Sequence, residues 1–262
     1  MQADSFRDGA VEPRVDGFQP VKSADRALDV LEALAQEGHL SRAELGQRLR
    51  IPKSSLHGIL RTLEQRDWVE LDPSRSLYHL GVRSLIVGAS FVDEDLVVAR
   101  TASLLDSLAA ATGETVHLGR LQADEIVYMA KRESVHPLRM FSAVGRRLPA
   151  YATALGKSLL ALRSDVEICE ILPDELTPLT PNTIRHRDEL LARLEEVREQ
   201  GYAVDHEEAA VGLRCFAVAL PMRAPSVNAI SLSVPVARLD PDIEAGLIAR
   251  LISTVGGLPI VP

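Results

Sequence analysis

Two sets of residues in this chain have the chemical means to bind something. The first lies in Ser41–Arg66, SRAELGQRLRIPKSSLHGILRTLEQR. Leu56, Ile59, Leu60 and Leu63 recur at the spacing of one buried helix face, which leaves Lys53, Ser54, Ser55, His57 and Arg61 on the other. Cations and short hydrogen-bonding side chains on one narrow face suit a DNA major groove. Lys53 and Arg61 can pair with phosphate, and Arg61 also with guanine O6 and N7 if it faces the groove. Pro52 fits the first turn of this helix, where a missing N–H costs nothing. Ala43, Leu45 and Leu49 mark a short helix before it, with Ser41 as its N-cap and Arg42 beside the flanking phosphate backbone. The pair reads as a helix-turn-helix with Lys53–Arg66 as its recognition helix. An ordinary helical hairpin with a solvated basic face is the alternative.

The second set is in the C-terminal half. Thr153 caps a helix whose first amides belong to Ala154, Leu155 and Gly156, and exposed N–H groups with the helix dipole form an anion site. Ser231 and Ser233 stand two apart on a strand and point to one side, so both can reach one ligand. Asp205, His206 and Cys215 admit an enzyme reading, but their spacing supports no activated nucleophile, and no cofactor motif is present. Metal binding through His117, His206 and Cys215 is a lesser option, and no metal or cofactor is expected. Gly156-Lys157-Ser158 resembles the end of a phosphate-binding loop, yet Tyr151 stands where that motif needs glycine, which excludes nucleotide binding.

The bulk composition constrains what positions these residues. The chain has 262 residues, is 46% hydrophobic and only 4% aromatic, and carries a net charge of −8. It is long enough for two domains with aliphatic cores. The acidic balance argues against indiscriminate coating of nucleic acid. From Leu40 to Arg66, however, Arg42, Arg48, Arg50, Lys53, Arg61 and Arg66 face only Glu44 and Glu64, a local patch suited to selective DNA binding. Cys169 and Cys215 have no metal-ligand or disulfide pattern, and no stretch resembles a signal peptide or membrane span, so a cytoplasmic protein without membrane contact is expected.

Residues 1–20 lack hydrophobic period and read as a disordered tail. A first helix opens at Ser23 and stops at Gly38. After the helix-turn-helix, Trp68–Leu71 and Leu77–Leu80 read as a hairpin with Arg75 near its tip, which makes 21–80 a winged helix-turn-helix. Arg75 can reach a phosphate or the minor groove, or be merely exposed. A linker helix that packs against a partner subunit is expected over 81–92, and an effector domain over 93–262. In the latter, a helix from Asp93 to Thr112 turns Leu96, Ala99, Leu104, Leu105 and Leu108 inward. Strands follow at Thr115–Leu121, Ile126–Lys131 and Leu138–Ser142, then helices at Thr153–Leu162 and Asp188–Gln200. Strands at Tyr202–Asp205, Cys215–Leu220 and Val227–Val234 precede a last helix opening at Asp240-Pro241. Strands grouped at both ends around central helices indicate α+β, not a doubly wound fold.

Four stretches in register resemble the IclR-type family of bacterial transcriptional regulators: Ile51–His57, Leu148–Ala161, Gly201–Ala217 and Ala229–Ser233. The resemblance spans nearly everything after residue 20. It implies a winged helix-turn-helix joined by a linker helix to a GAF-like, mixed α/β effector domain. It further implies a homodimer or dimer of dimers that binds double-stranded operator DNA and represses or activates a catabolic operon in response to a small organic acid. Matching positions put Asp205, Cys215, Ser231 and Ser233 around the effector beside Ala154 and Leu155, with Met140 and Leu148 as apolar wall. Cys215 would be a weakly polar wall residue and not a nucleophile. The chain departs from the family at Gly58, where arginine is common in the recognition helix, and at Asp67, where a glycine usually precedes the wing. A DNA-binding dimeric scaffold without an effector is the alternative, and a pocket-containing enzyme a more remote one.

Overall fold

The computed structural model describes residues 19–137, 142–222 and 225–258. The chain divides into two compact units, Met1–Phe91 and Val92–Pro262.

The first unit runs α1 (Lys22–Glu37), β1 (Leu40–Ser41), α2 (Arg42–Arg48), α3 (Lys53–Gln65), β2 (Val69–Asp72), β3 (Leu77–Leu80) and most of α4 (Val82–Glu94). Its three-stranded sheet has the order β1-β3-β2. Leu34, Leu45, Leu56, Leu60 and Val69 bury the inner faces of helices and wing together. Several local devices set the geometry. Ser41 and Glu44 form a reciprocal capping box at the start of α2. Arg50 takes a left-handed φ of 50° in the turn before α3. Gly38, at φ 81°, ends α1 by donating its N–H to the Leu34 carbonyl. The expected cap at Ser23 is not formed: Val21 occupies the N-cap position, without a side-chain cap bond, because the helix starts two residues earlier.

The corner leading out of α3 explains two further residues. Asp67 sits at φ 60°, the left-handed conformation that favours glycine and that Asp tolerates better than most residues. Gly81 lies against this corner so closely that a Cβ would come within 2.3 Å of the Asp67 carbonyl oxygen. The Gly81 amide bonds the Trp68 carbonyl at 2.8 Å, and the Arg83 amide bonds the Asp67 carbonyl at 3.0 Å. The start of α4 is thereby tied to the winged domain.

The second unit runs α5 (Leu96–Thr112), β4 (Thr115–Gln122), β5 (Glu125–Arg132), β6 (Arg147–Pro149), a 3-10 turn (Ala150–Ala152), α6 (Ala154–Leu160), α7 (Asp165–Ile171) and α8 (Arg187–Gln200). It continues with β7 (Ala203–His206), β8 (Leu213–Ala219), β9 (Asn228–Pro235) and α9 (Pro241–Gly256). Six strands form one antiparallel sheet in the order β6-β5-β4-β9-β8-β7. This is the expected α+β arrangement. Strand β9 is buried throughout, and its alternation serves both faces: Ile230, Leu232 and Val234 join the core under α5 and α9, whereas Ala229 joins the core under α6 and α8.

Some boundaries and phases differ from expectation. The break between linker and long helix falls at Asp95, whose carboxylate accepts the Val97 and Val98 amides and so starts α5 later. Leu96 is 69% exposed and Ala99 is exposed too; the inward face is Thr101, Leu104, Leu105 and Leu108. Of the expected strand at Leu138–Ser142, Leu138–Phe141 lie outside the described residues and Ser142 is not in a strand. The sheet instead ends on β6. Helix α7 was not expected, although Ser164 and Glu167 spell out its capping box.

Candidate DNA-binding and effector sites

On α3, Lys53, Ser54, His57, Gly58, Arg61 and Thr62 form one exposed stripe, while Leu56, Leu60 and Leu63 are buried. Ser55 is half-buried at its edge. Nothing lies within 4 Å of where a Gly58 side chain would begin, so this glycine relieves no clash within the unit and shortens the stripe's reach. Arg42 is exposed at the first position of α2; Ser41 is spent on the capping box, accepting the Glu44 amide at 3.2 Å. Arg75 is exposed in the turn between β2 and β3, with its Nε 4.0 Å from Asp72. The Asp72 carboxylate shapes that turn by accepting the Ser74 amide at 2.9 Å and the Ser74 hydroxyl at 2.6 Å.

In the second unit the strand register brings the anticipated polar residues together. Ser233 pairs with Cys215, and Cys215 pairs with Asp205, so one residue from each of three adjacent strands meets on the α6 side of the sheet. Ser231 lies two positions along on the same face. All four are buried. The Cys215 thiol bonds the Ser233 hydroxyl at 3.3 Å, and burial pushes its pKa well above the ordinary thiol value, which leaves it protonated and unreactive. The Asp205 carboxylate accepts the Glu208 amide at 2.6 Å. Burial nevertheless raises its pKa to about 7, against the opposing charge of Lys157. No hydrogen bond to the Ser231 hydroxyl is formed among the described residues; the buried side-chain oxygen left without a partner is Glu208 Oε2, beside Lys157. A buried polar group in that state is costly unless something else satisfies it.

The same face holds residues absent from the expected effector set, among them His117, named above only as a possible metal ligand. His117, fully buried on β4, pairs in register with Ser231. Its Nε2 lies 2.7 Å from the Ser142 hydroxyl and its Nδ1 lies 3.4 Å from that of Ser233. Burial, helped by the charge of Lys131, lowers its pKa to about 3, so the ring is neutral. Tyr128 stacks on it with ring centroids 4.5 Å apart. Lys131 bonds the Ser142 carbonyl and lies 3.0 Å from Glu133. The period-two alternation of Thr115–Leu121 was legible, but β4 and β9 are more than a hundred residues apart in the chain, and no local signal sets their register.

The anion site expected at Thr153 is only partly present. The Thr153 hydroxyl itself takes the Gly156 amide at 2.9 Å, and α6 is a short, wholly buried helix. Gly156 is required for packing, because a Cβ there would come within 2.0 Å of the Ala150 carbonyl oxygen. Leu155 packs its side chain over Gly119, and Ala154 is buried. Leu148, on β6, pairs with Ile126 and packs against the same core, consistent with an apolar wall. Met140 lies outside the described residues. Lys157 is fully buried in an ion pair with Glu208, which occupies the amine a phosphate-binding loop would need. Among the described residues no group of three or more His, Cys, Asp or Glu could hold a metal ion, and no helix is long and apolar enough to cross a membrane.

Comparison with known proteins places both units in one family. The profile described as the IclR helix-turn-helix domain matches residues 23–73, and that of the bacterial transcriptional regulator IclR C-terminal matches 89–256. The HTH-type transcriptional regulator KdgR of Dickeya chrysanthemi is 38% identical over 88% of this chain and 76% of its own length. A crystal structure of an IclR transcriptional regulator from Alicyclobacillus acidocaldarius superposes with a TM-score of 0.80 at 28% identity, covering 90% of this chain and 97% of that one. An IclR homolog from Microbacterium hydrocarbonoxydans, complexed with 4-hydroxybenzoate, shares the fold with a TM-score of 0.75 at 18% identity, covering 90% and 96% of the two chains. The relatives are named as regulators and not as enzymes. The chain belongs to the IclR family of bacterial transcriptional regulators, with an N-terminal DNA-binding domain and a C-terminal effector domain.

Proposed function

We propose that this regulator changes its hold on operator DNA when a small organic acid binds between α6 and the sheet of its effector domain. The observation that carries the reading is the strand register that gathers His117, Ser231, Ser233, Cys215 and Asp205 on one buried face of the sheet. A ligand oxygen there would take the hydrogen bond that the Ser231 hydroxyl is free to offer. Neutral His117 and the serine hydroxyls can each donate or accept, which suits a carboxylate with polar substituents. Asp205 and Cys215 extend the polar face, with Leu148, Ala154 and Leu155 as its apolar surroundings. Lys131, whose charge is already felt at His117, offers a counter-charge. That a fold relative was crystallised with 4-hydroxybenzoate supports an acid as the ligand class.

On the DNA side, Lys53, Ser54, Ser55, His57 and Arg61 enter the major groove, while Arg42 and Arg75 hold the flanking backbone and Ser41 fixes the start of α2. The regulator acts as a homodimer through α4, on which Val82, Leu85, Ile86 and Phe91 are all at least half exposed. A dimer places its half-sites about one helical turn apart, ~34–36 Å, or a multiple of it. The test is affinity for the region upstream of the protein's own gene, at fixed salt, with a panel of aliphatic and aromatic carboxylic acids. One acid should alter affinity or footprint. The double variant Ser231→Ala, Ser233→Ala should bind DNA as before and lose that response; a retained response overturns the placement of the effector.

A further inference from the structure

The first unit contains a cleft of about 860 Å³ between α1 and α3 that the recognition-helix reading does not use. Its rim carries Lys22 and Arg26 from α1 and the hydroxyls of Ser23, Ser54, Ser55 and Thr62. No carboxylate lines it: Asp25 and Asp29 belong to the same helix, but neither borders the cleft. Among the described residues Lys22 and Arg26 form no close ion pair, although Arg26 feels the carboxylate of Asp29 one turn along α1. The floor is small and apolar, and Gly58 leaves its mouth open, since nothing comes within 4 Å of where a side chain would start. The exposed stripe of α3 supplies one wall, so the cleft adjoins the surface assigned to operator contact.

We infer that the α1–α3 cleft is a second clamp for the DNA backbone, in which Lys22 and Arg26 hold phosphates of the strand flanking the groove occupied by α3. Cations and hydroxyls without acids are the lining that recognises a phosphodiester, and they carry no base preference. A bulky residue at position 58 would stand over the mouth of this cleft. Glycine there trades reach into the groove for approach of the backbone, and the two cations on α1 supply the charge that α3 lacks at that point. The surface Lys22–Arg26 thereby extends the footprint beyond the helix-turn-helix itself.

This inference rests on the DNA-binding reading, and the experiment separates the two. Affinity of the full-length protein for a duplex from its own upstream region, and for an unrelated duplex, is measured over a series of salt concentrations. Loss of each phosphate contact should flatten the slope of log K against log salt by about 0.9. The double variant Lys22→Ala, Arg26→Ala should lose about two such contacts on both duplexes, with an unchanged melting temperature. The exchange Lys22→Arg, Arg26→Lys should restore the wild-type slope, since charge and not shape is needed. Lys53→Ala serves as reference. If Lys53→Ala flattens the slope and the double alanine variant does not, the clamp is wrong and the operator reading stands. If the double variant instead changes the oligomeric state in the absence of DNA, the cleft belongs to a second copy and the inference is overturned. If the wild-type protein binds neither duplex, the DNA-binding reading itself fails, and the clamp with it.

Discussion

Two buried groups on the effector face should make their pH dependences cancel, and removing either should expose the other. Asp205 is raised from 3.8 to about 7, chiefly by burial, so the folded chain keeps its proton where the unfolded chain has lost it. Its contribution to stability is fully present below pH 3.8 and is lost as pH rises towards 7. His117 is lowered from 6.5 to about 3, again chiefly by burial, so the unfolded chain binds a proton that the folded chain refuses. Its contribution is present above pH 6.5 and is lost as pH falls towards 3. Between about pH 4 and 6.5 each group corresponds to one proton, hence to about 1.4 kcal/mol per pH unit in opposite directions. In the wild-type protein these two contributions cancel to near zero. Asp205→Asn keeps an acceptor for the Glu208 amide and removes the titration. Relative to wild type, its stability should climb by roughly 3–4 kcal/mol from pH 4 to 6.5. His117→Gln should do the reverse, and the double variant should again run parallel to wild type. Urea unfolding at stepped pH, followed by far-UV circular dichroism, measures these differences. Trp68 is the one tryptophan and lies in the first unit, so its fluorescence reports whether that unit is untouched. A curve for Asp205→Asn parallel to wild type over this range would mean that the carboxyl ionises normally in the fold, and the burial argument would be refuted.

Two further outcomes follow from single contacts. Lys157→Met leaves Glu208 charged and buried without its partner, and should cost about 3–5 kcal/mol in denaturant unfolding, whereas adding Glu208→Gln should recover most of that loss; a single variant as stable as wild type would show that the pair is not buried. Asp67→Gly relieves a left-handed backbone at φ 60° and should stabilise the winged unit by about 0.5–1 kcal/mol, read from the Trp68 fluorescence melt. A lower melting temperature would show that the corner is not strained.

Much of this protein was decided locally and could be read from the chain. The apolar period of Leu56, Leu60 and Leu63, the proline at position 52 and the turn at Asp72–Arg75 are sufficient to define the recognition helix and wing, because helix faces, caps and turns depend on neighbours a few residues away. Capping boxes behave likewise: Ser41 with Glu44 and Ser164 with Glu167 each set a serine three residues before a glutamate, a spacing visible in the chain. Alternation along β9 put Ser231 and Ser233 on one side. What alternation cannot supply is the neighbour. His117 meets Ser231, and Cys215 stands between Ser233 and Asp205, only because three antiparallel pairings fall in one register across distant segments. Phase at a helix start is equally non-local, as Leu96 shows: Asp95 caps α5 and also pairs with Arg120 on β4, which turns the preceding prediction of an inward Leu96 outward. The pKa values of His117 and Asp205 belong wholly to the folded state, since burial is their main cause and no sequence window contains it. Composition and short-range spacing thus determined the kind of domains present, while sheet register and burial decided which side chains meet and in which protonation state.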